Sequence, residues 1–432
     1  MLYERWSKIA ADRRNEWALH DLASGRRWTF NQLFAKGEKY EADGEIIFPT
    51  GNSPGFILRL LAAWRQNKMV CPLEPDQARP LTEAWRNPVT AKLAPQIPGI
   101  PDRHSVTPAL QFFKCTSATA GASRLIAFTA PQLAADADNI VATMGLRADW
   151  PNLGVISLAH SYGFSNLILP LLLHGIPLIL AAAPLPEIVR RAAKTEEAIT
   201  LPAVPALWRA WHDARAIPAN IRLAISAGAP LSVQLERHIF EATALKIHNF
   251  LGASECGGIA FDPSPTTRID DALVGAPMQN VELSLNHDGC LVVRSRAVGE
   301  TYWPEQSPAL ANGTFRSNDL AELKDGQVFL RGRLDDLINV AGRKVSPEAI
   351  ERELLSNPKV RECLVFGLPS RDAERTRNIV AVVVSSAGES ELKKFLLERL
   401  PAWQVPREWR FVDSLSANAR GKISRSEWRR KF

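Results

Sequence analysis

Cysteine is scarce in this chain, and the few that occur follow no pattern. Cys71, Cys115, Cys256, Cys290 and Cys363 are scattered over 432 positions without a CxxC pair. That spacing argues against a zinc site or a disulfide framework and fits a reduced, cytoplasmic setting. A strong excess of one charge is also missing. The formal net charge is +6, too modest for this length to imply nucleic-acid binding. The first residues, MLYERWSKIAADRRNEW, carry charges where a signal peptide needs an apolar core. No internal repeat or low-complexity tract occurs. One run, residues 162–183, is apolar enough to approach spanning length, but Pro170, His174, Gly175 and Pro177 interrupt it. It reads as a helix ending before a buried strand, so no transmembrane segment is expected.

What is present is enough apolar sequence, 46% of the chain, to fill a sizeable core. Strand-like runs such as LGVISLAH, IRLAIS and NIVAVVV alternate with helical ones such as APQLAADADNIVATMGL and SPEAIERELLS. That alternation predicts an α/β protein with layered elements. Charge and glycine interrupt the pattern at RGRLDDLINVAGRKV, residues 331–345, and about a hundred residues follow with helices and strands of their own. The positive charge concentrates there: from Asp335 onward 19 Lys and Arg face 14 Asp and Glu.

One short run draws chemical attention. KCTSATAGASR, residues 114–124, packs four alcohols and a glycine between two strand candidates, LQFFK and RLIAFT. A Walker-type loop would run directly into a helix and end in GK[ST], and neither condition is met. Backbone N–H groups and the hydroxyls of Thr116, Ser117 and Thr119 can still donate to phosphate oxygens from a hairpin. A plain Ser/Thr/Gly turn accounts for the same residues.

The order of further segments resembles the AMP-forming adenylating enzymes: acyl-CoA synthetases, aryl-acid ligases, peptide-synthetase adenylation domains and luciferases. Residues 116–124 resemble the phosphate loop TSGTTGxPK, LAHSYGF (158–164) the histidine-containing segment, and ISAGAPLS (225–232) the adenine-side loop. NFLGASE (249–255) is similar to YGxTE and FRSNDLAEL (315–323) to xTGDL. LRGRLDDLINVAGRKVSPEAIE (330–351) is close to GRxDDxIKxxGxRVxPxEIE, and ARGKISR (419–425) to the terminal xxGKIxR. The last two are specific and the first is not.

The resemblance implies a large N-terminal adenylate-forming domain of layered α/β subdomains, residues 1–334, and a small mobile α+β C-terminal lid domain, residues 335–432. It implies ATP-dependent conversion of a carboxylic acid to an acyl-adenylate, with release of pyrophosphate. Transfer to a thiol of coenzyme A or a carrier-protein phosphopantetheine then follows. Under it, Thr116, Ser117, Thr119, Gly121 and Arg124 bind ATP, with Gly228, Ala229 and Ser254 lining the nucleotide site. Lys422 bridges substrate carboxylate and α-phosphate, Glu255 holds Mg²⁺, and His160 stands near the acyl pocket and the phosphates. Asp319 takes the ribose hydroxyls, Arg333 donates to ribose or phosphate, and Asp335 is the hinge. Each residue has a plainer role available: a solvated lysine, a surface glutamate, a satisfied histidine, a turn aspartate, or an Arg333 salt bridge to Asp335 or Asp336.

The chain departs from the family pattern at several points. Ala118, Ala120, Ser123 and Arg124 replace a glycine, a hydroxyl residue, a proline and a lysine in the phosphate loop, Leu251 an adenine-stacking aromatic, and Asn318 a glycine. The region before the loop is short, which suggests a trimmed N-terminal subdomain. AHSYGFSN lacks the aspartate that amino-acid-activating relatives use, and Ser161 stands where aryl-acid relatives often place an asparagine. HSYGF before an apolar helix is more like the fatty-acyl and general acyl members, so an uncharged acyl or aryl tail is expected. The basic tail suits coenzyme A or an acidic acyl carrier protein equally well. The alternative function is a catalytically impaired relative that binds adenylates or regulates.

Overall fold

A computed structural model describes residues 1–75, 110–115, 124–181, 183–303, 306–370, 377–415 and 425–431. Two sheets organise the larger, N-terminal part. In the first, six strands run parallel in the spatial order Trp17–Asp21, Leu178–Leu180, Asn152–Gly154, Ile199–Ala203, Ile221–Ser226 and Ile247–Ala253. Ile199–Ala203 is buried along its whole length and Ile221–Ser226 at all but Arg222. Continuous burial is why such strands read as apolar runs instead of alternating ones. The sheet continues antiparallel through Gly257–Phe261, Leu273–Pro277, Gln327–Arg333, Thr314–Lys324 and Cys290–Arg294.

The second sheet joins Ile46–Ile47, Met69–Val70 and Leu110–Cys115 in parallel, then adds Leu125–Thr129 and Thr301–Trp303 antiparallel. The helix Ala130–Met144 follows directly. Thr129 and Gln132 form its capping box, and Gly145 ends it at φ +64°, a left-handed conformation that favours glycine. Its buried Leu133, Ala137, Ile140 and Met144 recur at three- and four-residue spacing, the stripe of a helix with a core-facing side.

The apolar run at 162–183 folds as its interruptions suggest. Helical turns extend from Ser161 to His174, Gly175 stops them at φ +69°, and Leu178–Leu180 enters the sheet. Among the described residues no helix is long and apolar enough to cross a membrane.

LGVISLAH departs from expectation, since strand pairing stops at Gly154. Side chains satisfy the backbone beyond it: Asn52 donates to the Ile156 carbonyl at 3.3 Å and accepts from the Leu158 N–H at 3.0 Å. Gly163 then presses on this segment so closely that a Cβ there would lie 1.9 Å from the Ser157 carbonyl oxygen.

The smaller, C-terminal domain has a sheet of its own. Val360–Pro369 pairs antiparallel with Arg377–Ser385, which pairs parallel with Glu408–Phe411. Both faces are covered. Val365, Ile379, Ala381 and Val383 pack with Ile350, Leu354, Leu392 and Leu396, while Phe366, Val380 and Val382 pack with Leu415 and Trp428. A hairpin, Ile338–Val340 with Arg343–Val345, turns through Ala341 and Gly342 at φ +52° and +81°. Arg425 ties the last helix into this domain, reaching Asp336 at 3.2 Å, Glu348 at 2.7 Å, Glu351 at 2.7 Å and the Val365 carbonyl at 3.1 Å. The molecule is thus mixed α/β, with a large N-terminal and a small C-terminal domain.

Gly163→Ala should lower stability by about 1–3 kcal/mol through overpacking. Urea unfolding would show it as a lower midpoint with an unchanged slope.

Candidate active site

Those expected site residues that the structure describes belong to the large domain and its junction with the small one. Ser254, Glu255 and Cys256 form the turn between Ile247–Ala253 and the antiparallel Gly257–Phe261. Glu255 is held at two points: its carbonyl accepts the Gly299 N–H at 2.8 Å, and its Oε1 accepts the Tyr302 hydroxyl at 3.0 Å. Burial pushes its carboxyl above the ordinary range, and nearby Asp319 adds to the rise. The Tyr302 hydrogen bond and Arg333 work the other way. Asp319 and Arg333 therefore lie within electrostatic reach of the turn.

Those two residues face each other across adjacent strands, Asp319 opposite Arg333 in the register. Asp319 stands inside the strand Thr314–Lys324, so the reading of SNDL as a turn does not hold. The Arg333 Nε lies 3.9 Å from the Asp319 Oδ1 and 3.2 Å from the Asp335 Oδ1. The salt bridge offered as the plainer role of Arg333 is thus present. Burial works against the charged guanidinium, but Asp319 and Asp335 outweigh it and raise its pKa. Asp335 itself lies in the single turn Leu334–Asp336 that leads into the small domain.

On the parallel side, Gly228 and Ala229 follow the strand Ile221–Ser226, and Gly228 adopts φ +84°. Tyr162 crosses above these strand ends. Its hydroxyl lies 3.4 Å from the carbonyl oxygens of both Ala203 and Ile225, and its ring is 5.9 Å from Phe250. Ligands of open α/β sheets gather beyond the carboxyl ends of parallel strands, where these segments converge. His160, two residues earlier, places its Nε2 3.1 Å from the Glu74 Oε1. His160 is thus partnered, but it is 29% exposed and precedes the helical turn Ser161–Gly163, unlike the buried strand-end histidine of the plainer reading.

Arg124 begins the strand side of the candidate phosphate loop, its guanidinium 5.7 Å from the Tyr302 ring centroid. Thr116, Ser117, Thr119, Gly121 and Lys422 lie outside the described residues. Cys115 and Cys256 are free thiols beside these segments, and burial pushes the Cys256 thiol well up, as fits a packing residue.

The structure adds a group of residues that sequence reasoning missed. Lys114, one residue from the end of the strand Leu110–Cys115, is buried with Asp136 at 3.4 Å and the Ser165 hydroxyl at 3.3 Å. Ser165 in turn donates to Asp136 at 2.5 Å. The other Asp136 oxygen accepts the Gly258 N–H at 3.2 Å, and a Cβ on Gly257 would meet that oxygen at 1.9 Å. This network fixes the strand leading into the candidate phosphate loop against the strand leaving Glu255. A lysine inside the apolar run LQFFKC was the available signal.

Comparisons with known proteins find relatives across most of the chain. The AMP-binding enzyme family matches residues 109–304, and the AMP-binding enzyme C-terminal domain matches residues 349–422. An uncharacterized acyl–CoA ligase of Bacillus subtilis is 28% identical over 211 residues, 47% of this chain. The match spans less than half of that relative, 44%. The 2-succinylbenzoate–CoA ligase of Salmonella typhimurium is 28% identical over 419 residues, covering 91% of this chain and 88% of its own. The crystal structure of ATP-bound MatB from Rhodopseudomonas palustris superposes with a TM-score of 0.84 at 19% identity, covering 100% of this chain and 99% of the other.

Lys114→Met should cost about 3–5 kcal/mol, because it leaves Asp136 buried without its cation. Chemical denaturation of the single variant, beside Lys114→Arg as the charge-retaining control, measures the loss.

Proposed function

Because this chain belongs to the AMP-forming adenylating enzymes, we propose that it activates a carboxylic acid with ATP and passes the acyl group to a thiol. A substrate carboxylate oxygen attacks the α-phosphorus, the bond to the β-phosphate oxygen breaks, and pyrophosphate leaves. In the second step a thiolate of coenzyme A or phosphopantetheine attacks the acyl carbon and AMP departs. The observation that carries this is the Asp319–Arg333 pair across adjacent strands, with Glu255 within electrostatic reach and the hinge candidate Asp335 beside it.

Each residue has a part in the first step. Arg124 and the hydroxyls of Thr116, Ser117 and Thr119 hold the triphosphate. Gly228 and Ala229 line the adenine side, where their small size lets the base approach the backbone, and Ser254 adds a contact at the nucleotide. Asp319 accepts from the ribose hydroxyls, and Arg333 leaves its Asp335 partner to donate to ribose or phosphate. Lys422 places its ammonium between the reacting carboxylate and the α-phosphate, where negative charge builds up. His160 stands near the acyl group and the phosphates.

Glu255 suits magnesium, a hard ion that commonly takes one or two carboxylate oxygens and fills the rest of its shell with phosphate oxygens and water. Among the described residues no group of three or more His, Cys, Asp or Glu side chains could hold a metal ion. Bound at Glu255, the ion would screen phosphate charge. A rotation of the small domain at Asp335 then withdraws Lys422 and brings the segment Val340–Gly342 to the incoming thiol.

The substrate we assign is a carboxylic acid with an uncharged acyl or aryl tail. Support comes from the segment after His160, which contains no aspartate before Leu169 and whose Phe164 and Leu167 are buried in the apolar core. A relative that binds adenylates without turning them over is favoured by one feature, Ala118 and Ala120 in the phosphate loop.

Pyrophosphate exchange against fatty, aryl and amino acids tests the whole scheme. Fatty or aryl acids should stimulate exchange, and Lys422→Ala should reduce it roughly 100- to 1000-fold. Exchange with amino acids alone rejects the substrate class. The absence of both exchange and ATP binding identifies the non-catalytic relative.

A further inference from the structure

Tyr302 lies outside the quoted motif segments, yet it contacts Glu255, assigned to Mg²⁺, and Arg124, assigned to ATP. It lies in Thr301–Trp303, the edge strand that pairs with Leu125–Thr129, with Tyr302 opposite Ile126. The side chain is 7% exposed. Its hydroxyl donates to the Glu255 Oε1 at 3.0 Å, and its ring lies 5.7 Å from the Arg124 guanidinium. Three residues earlier the Gly299 N–H donates to the Glu255 carbonyl at 2.8 Å. A Cβ at Gly299 would fall 2.7 Å from the Ile126 Cγ2, so this short segment is seated tightly against the sheet. Backbone and side chain of Glu255 are thus gripped by one rigid stretch of four residues.

We propose that Tyr302 is a positioning residue for the nucleotide site: its hydroxyl occupies one oxygen of Glu255 and turns the other toward a divalent metal, while its ring seats Arg124. The inference rests on the assignment of Glu255 and Arg124 to the ATP site. Among the described residues the Tyr302 hydroxyl is the one side-chain donor to the Glu255 carboxylate. A carboxylate held at one oxygen presents the second at a fixed place, whereas a free one rotates and forfeits that order on binding. The ring contributes separately, because an aromatic face attracts a guanidinium through its quadrupole. One side chain therefore sets the spacing between the cation at the end of the phosphate loop and the carboxylate beyond the sheet.

The test separates the hydroxyl from the ring. Mn²⁺ binding is measured by water-proton relaxation in the presence of ATP and without carboxylic acid, and ATP binding is measured separately in EDTA. Tyr302→Phe should weaken Mn²⁺ binding roughly 10-fold and leave metal-free ATP binding unchanged. Tyr302→Leu should weaken both. Equal Mn²⁺ affinity in wild type and Tyr302→Phe overturns the role of the hydroxyl. Equal ATP affinity in Tyr302→Phe and Tyr302→Leu overturns that of the ring. Glu255→Gln is the control, and should abolish Mn²⁺ binding in the ATP complex. If wild type itself binds no Mn²⁺ with ATP, the assignment of Glu255 fails first and the Tyr302 proposal falls with it.

Discussion

A buried ion pair, Lys114 with Asp136, holds the large domain in the arrangement on which its candidate chemistry depends. Lys114 comes from the smaller sheet, Asp136 from the helix between the sheets, and the backbone of Gly258 from the larger sheet. An ammonium and a carboxylate removed from water each lose several kcal/mol of solvation, and only good mutual geometry offsets that loss. The pair meets this demand with Ser165 as a third partner and the Phe128 ring 4.7 Å from the ammonium. A well-packed apolar substitute could be as stable, but it would not fix direction. Here the charges dictate where the strand before residue 116 lies relative to the strand after Glu255.

Much of the fold was legible because it depends on local patterns. Thr129 and Gln132 mark the start of a helix and Gly145 its end, and the punctuation at Pro170, Gly175 and Pro177 separates a helix from a strand. The junction near Asp335 showed as a break in composition. The site was legible as segments in order, not as contacts. Asp319 and Arg333 are fourteen positions apart, and only the strand register brings them face to face. Lys114 looked like one more charge because its partner depends on the phase of a helix more than twenty residues downstream. The early end of the strand at Gly154 was hidden for a similar reason: Asn52, a hundred residues away, supplies the hydrogen bonds that a neighbouring strand would otherwise supply.

The charge of the small domain also changes meaning once its partners are visible. The sequence shows an excess of cations from Asp335 onward, but Arg425 is spent on Asp336, Glu348 and Glu351 inside the domain. Lys359 and Lys393 pair with Glu391 and Glu389 at the surface. Exposed pairs of that kind contribute little to stability, yet they lower the field that a distant anion would feel. Any anionic partner of this domain would meet the cations outside these pairs, not the net charge of the sequence.

The outer parallel strand has a consequence for how the chain is made. Leu19 pairs with Leu178, so the first strand is synthesised roughly 160 residues before the strand it lies beside. At ordinary ribosomal rates that interval is on the order of 10 s. Throughout it, Trp17–Asp21 has only the local hairpin with Arg26–Thr29 to occupy one of its edges. Non-local parallel pairing is intrinsically slow, and an open strand edge invites a neighbouring chain. The N-terminal hairpin is therefore the element most exposed to a chaperone, or to another nascent copy, before the large domain closes over it.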